Sequence, residues 1–107
     1  MAEKSARRLM LEQSLAEDPG DTFLRYGLAV QCLREGDVEE GRTRLRALIA
    51  DHPDDQVPAY QQLGQSFAES GETDAAREAL KVGIAIAQRR GDWHAAAEME
   101  QILDTLD

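Results

Sequence analysis

The sequence predicts an all-α fold of about six helices, paired into antiparallel hairpins and stacked along one axis as an α-solenoid. The strongest sign is internal repetition: Leu28-Ala29 is answered 35 residues later by Leu63-Gly64, Gly36-Asp37 by Gly71-Glu72, and Leu45 by Leu80. Periods of this size mark stacked helical units. Composition agrees, since hydrophobic residues make up 42% of the chain but aromatics only 5%, with Ala, Leu, Glu, Gln and Arg abundant and β-branched residues sparse, a pattern that favours helices. Finally, a glycine followed by an acid punctuates the chain at Gly36-Asp37, Gly71-Glu72 and Gly91-Asp92. Helices joined by so short a turn must lie antiparallel.

The first element runs from about Ser5 to Glu17, with Leu9, Leu11, Leu15 and Ala16 among charges and a firm stop at Asp18-Pro19-Gly20. Pro19 lies 34 residues before Pro53, so this helix stands where a second helix would, without a first helix of its own. It reads as a half repeat. The helix from about Thr22 to Glu35 is apolar around much of its circumference (Phe23, Leu24, Tyr26, Leu28, Ala29, Val30, Cys32, Leu33) and therefore needs neighbours on two sides. Gly36 suits the left-handed residue that closes it; Asp37 suits the next N-cap, with Glu40 completing a capping-box-like pair.

From Val38 to Ala50 the apolar stripe is Val38, Leu45, Leu48 and Ile49, which leaves Arg42, Arg44 and Arg46 for a solvated outer face, ion-paired with Glu39 and Glu40. His52-Pro53-Asp54-Asp55 links to a helix over about Val57 to Ser70, where Pro58 costs little in the first turn. One face of that helix carries Tyr60, Leu63, Gly64 and Phe67, another Gln61, Gln62 and Gln65. A long helix from Thr73 or Asp74 to about Arg90 has Gly83 inside its apolar stripe, and a mid-helix glycine that costs about 1 kcal/mol relative to alanine implies close approach of a neighbour. The last helix, Trp93 to about Leu106, offers Ala96, Ala97, Met99, Ile102, Leu103 and Leu106 to cover the end of the stack, with Trp93 expected to pack in that cap.

A chain of 107 residues falls within one domain: a half-repeat helix at 5–18, a first repeat at 22–55, a second at 57–90 and a capping helix at 92–106. The formal net charge is −9. Up to Pro53 there are 8 basic and 10 acidic residues (−2), and beyond it 4 basic and 11 acidic (−7). Such a surface repels phosphate backbones, so neither nucleic acid nor an anionic membrane is an expected partner. No stretch approaches the 18 apolar residues of a membrane span, the start Met-Ala-Glu-Lys-Ser lacks the apolar run of a secretory signal, and one cysteine cannot form an internal disulfide. The expected location is the cytoplasm.

These residues resemble the tetratricopeptide repeat family, in its small stand-alone bacterial form. The resemblance rests on Leu28, Ala29, Gly36-Asp37, Gly41, Leu45 and Pro53 in the first repeat and on Tyr60, Leu63, Gly64, Phe67, Gly71, Ala76 and Leu80 in the second. The first repeat departs at Arg25 and Cys32, where aromatics are usual, and the second has Gln88 in place of the closing proline. The resemblance implies a short right-handed superhelix in which the first helices of successive repeats line a concave groove for an extended or helical peptide. Carried over residue by residue, that groove comprises Phe23, Tyr26, Val30, Leu33 and Arg34 from the first repeat and Gln61, Gln65, Ala68 and Glu69 from the second. Relatives that clamp a terminal carboxylate use Lys and Asn where Tyr26 and Val30 stand here, and Asn where Gly27 and Gln62 stand, so that version of the function is not implied.

No catalytic chemistry is legible. Cys32 reads as a buried thiol, His52 and His94 make no metal-ligand spacing, and Asp54-Asp55 and Glu39-Glu40 are acids placed for helix starts. No cofactor and no metal are expected. Phe23 and Tyr26 leave two placements open, under the N-terminal helix against Leu11 or Leu15, or in the groove as peptide anchors. The expected function is a protein-interaction module with no catalysis that binds a protein or peptide partner; the alternative is a self-assembly unit that forms a homodimer through its end faces.

Overall fold

Helices α1 (Ala6–Glu17), α2 (Thr22–Arg34), α3 (Val38–Asp51), α4 (Val57–Glu69), α5 (Thr73–Arg89) and α6 (Trp93–Asp104) make up the secondary structure of a computed structural model that describes residues 3–106. Among the described residues there is no strand. Three of the turns are closed in the same way. After α2 the amide of Gly36 donates to the Leu33 carbonyl and that of Asp37 to Cys32; after α4, Gly71 donates to Ala68 and Glu72 to Phe67; after α5, Gly91 donates to Gln88 and Asp92 to Ala87. Gly36, Gly71 and Gly91 have φ of 84°, 74° and 73°, a region costly for any residue with a Cβ. The chain is thereby reversed, and α2–α3, α4–α5 and α5–α6 pack as antiparallel neighbours.

The stacking is asymmetric. The backbones of the even-numbered helices approach one another, α2 against α4 and α4 against α6, whereas those of α1, α3 and α5 approach only helices of the other layer. A stack whose inner layer is in contact and whose outer layer is splayed must curve, with α2, α4 and α6 on the concave side. Its Cα radius of gyration is 13.9 Å over extents of 36 × 30 × 20 Å, a little above the roughly 13 Å of a compact globule this size.

Small residues set the helix spacings. A Cβ on Gly64 would lie 2.6 Å from Leu80 Cδ2, and one on Gly41 would lie 2.7 Å from Leu33 Cδ2. Gly83 is the least yielding crossing, with the close approach its sequence position implies: a Cβ there would lie 2.7 Å from both Met99 Sδ and Tyr60 Cβ. Leu45, Leu48 and Ala76 fill one part of the core, and Leu80, Ala87 and Met99 the other. The linker before α4 is held by the Tyr60 hydroxyl, which donates to the Pro53 carbonyl at 3.1 Å, and by Arg90, which donates to Asp54.

Two arginines overturn the expected charge layout. Arg42, expected with Arg44 and Arg46 on a solvated face, is 6% exposed and reaches from α3 to the end of α4. Its Nε donates to Ser66 Oγ at 3.0 Å, its Nη2 to the Ser66 carbonyl and to Ser70 Oγ, its Nη1 pairs with Glu72 at 3.0 Å, and the guanidinium lies 4.4 Å from the Phe67 ring centre. Arg44 and Arg46 do stay on the outside, Arg44 paired with Glu40. The second, Arg8, is the buried residue of α1, whereas Leu9 is 52% exposed and Ala16 lies outward. Arg8 donates to Asp37 and Glu40 at 2.9 Å each. Asp37 therefore serves as an anchor for α1, and its side chain makes no cap hydrogen bond to α3.

Glu35 completes this anchor. Hydrogen bonds from the Ser5 hydroxyl, first of all, and from Gln31 pull its carboxyl pKa from 4.5 down to about 2. A lowered pKa means stabilisation that is present above pH 4.5 and lost as the pH falls through about 2. In an NMR acid titration the Glu35 carboxyl carbon should therefore show a midpoint near 2, and Ser5→Ala should move it back toward 4.5. An unmoved midpoint would dissociate Glu35 from the docking of α1.

Cys32 is fully buried, and its thiol faces Glu40 Oε2 at 3.6 Å. Burial, followed by the Glu40 charge, pushes its pKa up. Because a thiolate is the reactive form, an aromatic disulfide reagent should modify Cys32 only as fast as the chain opens, and rapidly in urea.

Candidate functional site

The concave face is built from one stripe on each even-numbered helix. Tyr26, Val30, Leu33 and Arg34 on α2 share their spacing, i, i+4, i+7 and i+8, with Gln61, Gln65, Ala68 and Glu69 on α4, a spacing that keeps four side chains on one side of a helix. The structure brings Val30, Leu33, Arg34, Gln65 and Glu69 around a cleft of about 440 Å³ between α2 and α4, joined by Val38, Gln62, Ser66 and Ser70. Gln61, Gln65, Ala68 and Glu69 turn toward a second cleft, of about 560 Å³, between α4 and α6. Tyr26 and Gln61 line a smaller one near the start of α6. Gln65 and Glu69 belong to both larger clefts, which makes α4 the central ridge of a continuous surface.

Phe23 stands apart from the clefts. It is 80% exposed and lies two helical turns before Val30 on the same stripe, so it does not pack beneath α1. Tyr26 is half-buried against the core while its edge faces the cleft. Trp93, expected in the cap, is 65% exposed. At about 100° per residue it lies roughly a third of a turn away from the Ala95, Ala96 and Met99 face that packs on α5, and those three residues form the cap without it.

Sequence reasoning missed the contribution of α6. His94, Glu98, Gln101 and Ile102 repeat the i, i+4, i+7, i+8 stripe a third time, and Glu98, Gln101, Ile102 and Thr105 form the far wall of the α4–α6 cleft. The signal was present in that spacing. It is masked by the stronger apolar stripe of α6, Ala96, Met99, Ile102 and Leu103.

Chemically the surface is amide-rich. Among the described residues the side chains of Gln61, Gln62, Gln65 and Gln101 make no hydrogen bond, so donors and acceptors face solvent on the walls of a preformed concavity. Apolar footing comes from Val30, Leu33 and Val38 at one end and Ile102 at the other. Neither His52 nor Cys32 belongs to these clefts, and among the described residues no three His, Cys, Asp or Glu side chains come together in a way that could hold a metal ion. No helix among the described residues is long and apolar enough to cross a membrane.

This architecture is shared with known proteins. A family profile described as tetratricopeptide repeat matches residues 8–66. A TPR repeat-containing protein of Pseudomonas aeruginosa is 32% identical over 97 residues, which span 91% of each chain. Among solved structures, a protein of Bordetella parapertussis superposes with a TM-score of 0.81 at 28% identity, over 94% of this chain and 86% of its own. The tetratricopeptide repeat domain protein of Salinibacter ruber does so with a TM-score of 0.74 at 28% identity, over 80% and 86%. With the repeated stripes, the glycine-closed turns and the concave inner layer, these likenesses establish that the chain belongs to the tetratricopeptide repeat family.

Proposed function

We propose that this protein is a binding module that captures a peptide or protein segment on the concave face of α2, α4 and α6 and performs no catalysis. The observation that carries this reading is the convergence of three identically spaced stripes on one face, with side-chain amides left unpaired there. Unpaired amides beside apolar footing suit main-chain hydrogen bonding to a segment whose side chains enter the clefts. The family's general role in protein–protein interaction supports it.

Replacing Tyr26 and Gln65 together with alanine should abolish capture of proteins from the native lysate, since one removes an aromatic anchor and the other the amide common to both clefts. The far-UV helical signal should stay intact. Capture that survives the double substitution would move the binding site off this face.

One observation favours a second reading, self-assembly. The outer face of α1 carries Leu9 and Met10, 52% and 59% exposed, and the backbone of α1 packs against α2, with no helix on its other side among the described residues. Light scattering across a concentration series tests it: a constant monomer mass excludes a homodimer through this end, and a mass that doubles and reverts on Leu9→Glu with Met10→Glu supports one.

A further inference from the structure

The charges on the concave face are unevenly placed, and their placement specifies the occupant. In the α2–α4 cleft the charged side chains, Arg34 and Glu69, are one of each sign, Gln62, Gln65, Ser66 and Ser70 are polar, and Val30, Leu33 and Val38 supply an apolar footing. In the α4–α6 cleft the charged side chains are Glu69 and Glu98, and no lysine or arginine lines it. Among the described residues Glu98 meets no lysine or arginine within ion-pair reach, and its neighbour His94, at 3.4 Å, is itself 87% exposed. Glu69 has no cation within ion-pair reach among the described residues, although it is the last residue of α4, where the helix dipole already disfavours a negative charge. A positive group arriving between Glu69 and Glu98 relieves both.

The wider field points the same way, because the residues beyond Pro53, which build α4 to α6, carry 11 acidic against 4 basic side chains. A positively charged ligand is steered toward this half. The two clefts are separated by the width of α4, about 10 Å between helix axes, which an extended chain covers in about three residues.

We propose that the concave face takes an extended basic peptide segment, in which an apolar side chain occupies the α2–α4 cleft and a lysine or arginine about three positions away sits between Glu69 and Glu98. The main chain between them crosses the ridge of α4, where Gln65 serves it as donor and acceptor. This specification rests on the groove reading above.

The test is selection of a random displayed peptide library on the full-length chain, repeated on Glu69→Lys with Glu98→Lys and on the Tyr26 and Gln65 double-alanine variant. The expected outcome is enrichment of peptides with an apolar and a basic residue about three positions apart, bound about tenfold more weakly by Glu69→Gln with Glu98→Gln and more weakly still as salt is raised. On the double-lysine variant the enriched charge should invert to acidic at the same position. Peptides that depend on Tyr26 and Gln65 but show no basic preference, or fold as acidic or helical ligands, would overturn the basic specification and leave the groove reading standing. Peptides indifferent to Tyr26 and Gln65 would overturn both. Glu69 is exposed and Glu98 half-exposed, so these substitutions leave the core untouched.

Discussion

Replacing Arg42 with alanine is expected to destabilise the protein by about 3 kcal/mol, close to the effect of breaking a buried ion pair from one side. The side chain is 6% exposed and spans two hairpins, from α3 to the C-terminal turn of α4. Its loss takes away the donor to the Ser66 hydroxyl and one of the donors to the Ser66 carbonyl, which keeps the Ser70 amide and hydroxyl, removes the contact with the Phe67 ring, and opens a gap where the guanidinium lay. Glu72 contributes little to the loss, because it is half-exposed and rehydrates.

Lysine should rescue only a minor part, since an ammonium is a point donor and cannot reach Ser66, Ser70 and Glu72 at once. For a domain of this size the midpoint of thermal unfolding should fall by at least about 12 °C. Arg46→Ala is the control: Arg46 is exposed and its contact with Phe67 is longer, 5.3 Å, so it should cost no more than about 1 kcal/mol. Because Arg42 ties the α2–α3 hairpin to α4, and stability in a stacked protein depends on such interfaces, the alanine variant should also unfold over a broader denaturant range. Equal stabilities for the Arg42 and Arg46 variants would refute this assignment.

Gly83→Val should cost about 3 kcal/mol, at the upper end of what overpacking a filled core usually costs. Even a single Cβ at this position would come within 2.7 Å of Tyr60 Cβ and of Met99 Sδ. Met99 is flexible and can yield, but a Cβ moves only with its backbone, so α4 and α5 must separate. Alanine at Gly83 gains about 1 kcal/mol of helix propensity and tests the balance: chemical denaturation should still find Gly83→Ala less stable than the parent. A gain in stability would mean that the crossing is looser than the geometry indicates. Tyr60 also holds the Pro53 carbonyl, so loosening this crossing should expose the linker to proteolysis.

Neither effect is equally visible in the sequence. A glycine inside a long apolar stripe carries its own signal, because helix propensity disfavours it unless something approaches closely. Arg42 carries none: it sits between Gly41 and Thr43 with acids nearby, like any solvated arginine, and its partners Ser66, Ser70 and Glu72 lie 24 or more positions away. The same holds for Arg8, whose partners Asp37 and Glu40 look locally like a helix start. The cleft-lining stripes were legible on α2 and α4, where repeat and family position coincide, and illegible on α6, whose polar stripe is offset by 33 residues from Gln61 rather than by 35. Trp93, expected in the cap, is exposed for the same reason, since an aromatic side chain suggests burial until the phase of the helix is known, and of the two placements open to Phe23 the packed one is excluded by its 80% exposure.

By itself the sequence determined the number, type and limits of the helices, the antiparallel reversals at Gly36, Gly71 and Gly91, and the family, because periodicity and turn chemistry are local and recur. Tertiary structure alone decided which charges are buried, how α1 is fastened, and that α6 supplies the third wall of the concave face. Those outcomes depend on contacts between residues far apart in the chain, where a guanidinium finds its carboxylates or carbonyls only after the hairpins have stacked.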